Sequence, residues 1–148
     1  MDDRHQTVTI VMIEDDAGHA RLIEKNIRRA AVCNEIVGFN NGAEALEYLQ
    51  PNGTEPHPAA HRPLLILLDL NLPDMSGLDI LARLKGNEHT RRFPIIVLTT
   101  TDDSREIEKC YDLGANAYIT KPLDYDNFST AIRQLGLFLA VIQIPEMA

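Results

Sequence analysis

Apolar positions fall into five short, dense runs separated by stretches in which apolar residues recur every three or four positions. The runs are Thr7–Ile13, Glu35–Phe39, Leu64–Leu68, Pro94–Leu98 and Asn116–Thr120. The third is the densest: Leu64-Leu65-Ile66-Leu67-Leu68, bounded by Pro63 before it and Pro73 after it. It is short for a helix and fits a strand covered on both faces, as in a parallel sheet. Between the runs, Ala17–Ala31 carries Leu22, Ile23, Ile27 and Ala30 at helical spacing, with Asp16 placed as its cap. Ala43–Leu49 turns Ala45, Leu46 and Leu49 inward after an Asn40-Asn41-Gly42 turn, and Gly77–Lys85 does the same with Leu78, Leu81 and Leu84. A helix from Ser104 to Gly114 puts Ile107, Cys110 and Tyr111 on one face. A last helix follows Pro122, with Asp124 as a cap and Phe128, Ala131, Ile132 and Leu135 as its stripe. Strict strand–helix alternation predicts an α/β fold: a five-stranded parallel sheet with right-handed crossovers and helices on both faces.

The ends of these runs carry the chemistry. The first stops at Glu14, Asp15 and Asp16, the third at Asp69, the fourth at Thr99, Thr100 and Thr101, and the fifth at Lys121-Pro122. In a parallel sheet all of these ends lie on one edge, where ligands of open α/β sheets bind. Three carboxylates gathered there repel one another, so either their pKa values rise or a cation joins them. An all-oxygen set of this density suits Mg2+. Lys121 offers a point charge for a phosphoryl oxygen or for Asp69, and Thr99 offers a hydroxyl. Together the set fits phosphoryl transfer to a carboxylate, with Asp69 as the nucleophile. The chain contains neither Gly-x-x-x-x-Gly-Lys nor Gly-x-Gly-x-x-Gly, so the donor is expected to be another, already activated molecule. Asp74, Asp102 and Asp103 read as solvated loop or cap residues.

Composition narrows the class. At 148 residues the chain is the size of one domain. A formal net charge of −8 argues against nucleic acid held through phosphates. The basic pairs Arg28-Arg29 and Arg91-Arg92 read as solvated positions. No run is long enough to span a bilayer and the N-terminus has no signal-peptide pattern, so the chain reads as cytoplasmic. Cys33 and Cys110 are expected to be reduced and mostly buried. His57 and His61 share the Pro-rich loop Pro51–Pro63, but no third ligand stands near enough for zinc.

The motifs Ile13-Glu14-Asp15-Asp16, Leu68-Asp69-Leu70-Asn71-Leu72-Pro73-Asp74-Met75-Ser76-Gly77, Leu98-Thr99 and Tyr118-Ile119-Thr120-Lys121-Pro122 occur in that order at successive strand ends. In that order the chain resembles the receiver domain of two-component response regulators, from Val8 to about Leu135. The resemblance implies a flavodoxin-like fold with strand order 2-1-3-4-5 over residues 1–135. It implies that Asp69 is the phosphoacceptor, charged by the phosphohistidine of a sensor histidine kinase. Asp15, Asp69 and the backbone carbonyl of Asn71 would ligate Mg2+, with Glu14 assisting through water. Thr99 and Lys121 would hold the phosphoryl oxygens, Tyr118 would couple the site to the face of helix 4, strand 5 and helix 5, and the Lys121-Pro122 bond would be cis. Thr100 departs from the family pattern, which often has Ala or Gly there, and bears on how water reaches the phosphoryl group.

No DNA-binding or enzymatic segment is expected after helix 5. Residues 136–148 are unusually apolar, and Leu137, Phe138, Val141, Ile142 and Ile144 read as a dimer contact better than as an extension of the last helix packing on its own domain. The Pro-rich loop, the Tyr111–Lys121 stretch and this tail resemble the response regulators associated with bacterial phytochromes, which implies a bacteriophytochrome kinase and a homodimer. Two competing readings are a constitutive binding module with a vestigial site and an Mg2+ aspartyl-phosphate phosphohydrolase. The second needs a general acid two residues beyond the nucleophile, where this chain has Asn71. The chain is therefore expected to be a signalling protein, acting enzymatically only on its own phosphoryl group.

Overall fold

The computed structural model describes residues 8–29, 32–50, 64–121 and 125–130. Strands and helices alternate: β1 (Thr9–Ile13), α1 (Ala17–Arg29), β2 (Ile36–Phe39), α2 (Gly42–Leu49), β3 (Leu64–Asp69), α3 (Gly77–Lys85), β4 (Ile95–Thr99), α4 (Ser104–Asp112) and β5 (Ala117–Thr120). Residues 125–130 are again helical. The strands form one parallel sheet in the order β2-β1-β3-β4-β5, the flavodoxin-like arrangement.

Side-chain alternation along the strands divides the core in two. Val11, Ile13, Ile66, Leu68, Ile95 and Val97 face α2, α3 and α4, whose Leu46, Leu49, Ile80, Leu81, Leu84 and Cys110 join the same cluster. Ile10, Met12, Leu65, Leu67, Ile96 and Leu98 face the other way, against Ile23 and Ile27 of α1 and Phe128. This is why β3 reads as an unbroken apolar run: both of its faces are covered, and all six of its residues are buried. Register aligns the strand ends. Ile13 is opposite Leu68, Leu68 opposite Val97, and Thr99 opposite Thr120. Glu14, Asp69, Thr99 and Lys121 therefore emerge along one edge.

The helical stripes differ in detail from those expected. Leu22 is 42% exposed, and the third inward position of α1 is the polar Asn26. Leu78 is only half-buried while Ile80 is fully buried, and Tyr111 points outward at 48% exposure, leaving Cys110 as the buried residue of α4. In each case another position on the helix meets the sheet instead, a choice set by how the helix lies on its neighbours rather than by spacing alone. Cys33 is exposed, against expectation, because it lies beyond the α1 residues that pack on the sheet; Cys110 is buried. The basic pairs have structural partners. Arg28 donates to the carbonyls of Val32 and Asn34, Arg29 stacks 3.9 Å over the Tyr125 ring, and Arg92 lies 4.8 Å over Phe93. The Pro-rich loop (51–63), Pro122, Asp124, and the apolar tail with Leu137, Phe138, Val141, Ile142 and Ile144 lie outside the described residues.

Candidate functional site

Asp69 closes β3 and is 4% exposed. Glu14, one residue past β1, is equally buried, whereas Asp15 beside it faces solvent. One carboxylate oxygen from each of Glu14, Asp15 and Asp69 lies within 4.8 Å of the others. Three anionic oxygens at that spacing fit a hard divalent cation, which would be held by acids on two adjacent strands while Asp15 keeps the site open. The backbone of Asn71 bears on the same point: its N–H donates to Asp69 Oδ1 at 3.2 Å.

Burial pushes the Asp69 carboxyl up to about 6. The Asn71 N–H opposes that rise, the Glu14 charge adds to it, Lys121 opposes it, and Asp15 adds to it. Lys121 is itself nearly buried. Its Nζ donates to Glu14 Oε1 at 2.6 Å and lies 3.6 Å from Asp69 Oδ2. Its backbone N–H donates to the Thr99 carbonyl at 2.7 Å, so the β4–β5 ladder runs one residue past β5 and fixes where the lysine leaves the sheet.

Thr99 is fully buried, and its hydroxyl accepts from the Thr101 N–H at 3.4 Å; Thr100 is exposed. The Tyr118 hydroxyl donates to the Thr101 carbonyl at 2.6 Å, tying the β4–α4 loop to β5. Desolvation, with nearby acidic groups, pushes the phenol up to about 12. Tyr118 is thus joined to the loop that follows Thr99 at the end of β4.

Two residues of the site neighbourhood were not legible as such in the sequence. Asp74 Oδ1 and Oδ2 accept from the Gly42 and Ala43 N–H groups at 2.8 and 2.9 Å, which clips the β3–α3 loop onto the start of α2. These bonds hold its carboxyl below the ordinary range. His19, in the first turn of α1, brings Nδ1 to 3.2 Å from Lys121 Nζ and 3.7 Å from Glu14 Oε2. Its backbone is set by Asp16, whose Oδ1 accepts the His19 N–H at 2.9 Å as expected of a cap. Neither partnership leaves a sequence signal, since Asp74 acts across 32 residues and His19 across 102. A cavity of about 350 Å3 opens beside Glu14 and Asp15, between α1 and the β2–α2 turn.

The chain matches the model of the response regulator receiver domain over residues 10–133. It is 30% identical over 145 residues to the response regulator Rcp1 of Synechocystis, covering 97% of each protein. The manganese-bound form of Rcp1 superposes with a TM-score of 0.70 at 28% identity, covering 95% of this chain and 99% of that one. A receiver domain from Rhodospirillum rubrum shares 65% identity with a TM-score of 0.77, over 94% of this chain and 98% of that one. The bacteriophytochrome response regulator RtBRR shares 34% identity with a TM-score of 0.77, over 95% and 85%. Strand order and these similarities agree, and the chain belongs to the response regulator receiver domain family.

Proposed function

We propose that the chain is a phosphoaccepting switch in which a sensor histidine kinase transfers a phosphoryl group to Asp69. What supports this most is a nearly buried Asp69 whose carboxylate lies within 4.8 Å of oxygens of Glu14 and Asp15 and 3.6 Å from Lys121 Nζ. An Asp69 oxygen attacks phosphorus, the P–N bond to the donor histidine breaks, and the imidazole leaves with the bonding pair. Asp15, Asp69 and the Asn71 carbonyl would hold Mg2+, with Glu14 assisting through water. When bound, the ion offsets charge on the transferring oxygens. The manganese-bound form of Rcp1 supports a divalent cation as part of this reading. Thr99 and Lys121 hold the phosphoryl oxygens. A shift of Thr99 toward them draws on the loop that Tyr118 holds, and Thr100 lies at the approach of hydrolytic water.

The resemblance to the bacteriophytochrome response regulator RtBRR supports a bacteriophytochrome as the kinase, and the apolar residues 136–148 support a homodimer. On this reading the protein works in the cytoplasm and catalyses no reaction beyond its own phosphorylation and dephosphorylation. The test is intact mass after incubation with a small acyl phosphate. One Mg2+-dependent phosphoryl adduct is expected on the wild type and none on Asp69→Asn. An adduct that survives the substitution, or is absent from a wild type that binds Mg2+, overturns the assignment.

A further inference from the structure

Lys121 does not point its charge chiefly at Asp69. Its Nζ is 2.6 Å from Glu14 Oε1 and 3.2 Å from His19 Nδ1, both within hydrogen-bond reach, but 3.6 Å from Asp69 Oδ2, beyond it. An ammonium group has three protons and no lone pair, so the His19 contact is made by the Nδ1 lone pair accepting from lysine, with the ring proton on Nε2. The position of His19 is set in turn by Asp16, whose carboxylate caps its backbone N–H. Two acceptors on β1 and α1 thus hold the lysine on the Glu14 side of the site.

We infer that His19 is a positioning residue for Lys121: it helps hold the ammonium on the Glu14 side, and this bond restrains the lysine as it moves toward the phosphoryl oxygens. This rests on the reading of Asp69 as phosphoacceptor. Glu14 and His19 take two of the three ammonium protons, so carrying the third to an incoming phosphoryl group draws Nζ away from both acceptors, and His19 is the more expendable of them. The Glu14 carboxylate lies at 2.6 Å and is buried, whereas the His19 nitrogen lies at 3.2 Å and its side chain is 45% exposed. A hydrogen bond to an exposed neutral acceptor is the weaker of the two and gives way first. His19 therefore sets how readily the lysine is available, and with it the rate at which Asp69 is charged.

The experiment measures the rate of Mg2+-dependent adduct formation with acetyl phosphate on the full chain, for wild type, His19→Ala, His19→Asn and Lys121→Met. Losing one acceptor for a charged donor at a half-exposed site is expected to speed charging about three- to tenfold in His19→Ala. His19→Asn, which returns an acceptor oxygen, is expected to restore most of the wild-type rate. In the Lys121→Met background, His19→Ala is expected to have no further effect, because the interaction it removes is already gone. A role confined to packing α1 would change both His19 variants alike and would persist without the lysine. A wild type that charges while His19→Ala charges at the same rate overturns this inference alone. A wild type that never charges overturns the reading of Asp69 and this inference with it.

Discussion

Burial lifts the Asp69 carboxyl to about 6, from an ordinary value of 3.8. Its folded-state pKa lies above its unfolded one, so the folded protein keeps a proton that the unfolded chain has lost between these values. Asp69 therefore costs no stability below about pH 4, and its cost grows as pH rises through about 6. Asp69→Asn keeps the shape and an acceptor for the Asn71 N–H while removing the charge. Two pKa units correspond to about 3 kcal/mol, and we expect on the order of 1 kcal/mol here because solvent reaches the site at Asp15 and the Lys121 contact is lost too. In chelator at pH 7.5 the variant should be more resistant to urea than the wild type, and at pH 4 the difference should vanish. A gain of equal size at both pH values would refute burial of the charge as its cause. The same residue shows how much of the site was legible. Asp69, Glu14, Asp15, Thr99 and Lys121 were readable because each ends an apolar run, whereas His19 looks like any polar residue in a helical first turn.

The elements that hold these residues depend on close backbone approaches. The β3–α3 loop folds back so that the Gly77 N–H donates to the Leu70 carbonyl at 2.9 Å. A Cβ on Gly77 would stand 2.5 Å from Leu70 Cα and 2.6 Å from the Asp69 carbonyl oxygen, both backbone atoms of the strand end that presents Asp69. Gly77→Ala is therefore expected to cost about 1–3 kcal/mol in denaturant unfolding and to slow adduct formation on Asp69 as well. Unchanged stability would show that the loop yields freely. At the other end of that loop Asp74 reaches α2, and the approach is so close that a Cβ on Gly42 would meet Met75 Cγ at 2.6 Å. The Asp74 carboxyl is held below its ordinary pKa, so the clip is intact above the usual carboxylate range and is lost as pH falls through the lowered value. Periodicity announced α2 and α3 correctly as helices. It could not announce that the loop between β3 and α3 is fastened to α2, since that bond joins residues far apart in sequence.

At the scale of the whole molecule, two core clusters cover both faces of the sheet, and the sequence runs on into the apolar residues 136–148. If they form the dimer contact proposed above, Phe138→Asp should shift sedimentation from dimer to monomer while Asp69 still takes its phosphoryl adduct. A dimer that persists would place the contact elsewhere. The amino-acid sequence by itself determined the α/β class, the five strands and the residues at their ends. An apolar run between breakers forms a buried strand wherever it lies, and alternation with helices dictates parallel pairing. Tertiary structure alone decided which helical residues face the sheet, as in Ile80 over Leu78 and Cys110 over Tyr111. It also decided which partners Lys121 has. Those outcomes depend on how helices settle on a twisted sheet and on distances between residues 102 or 107 positions apart, which no local pattern encodes.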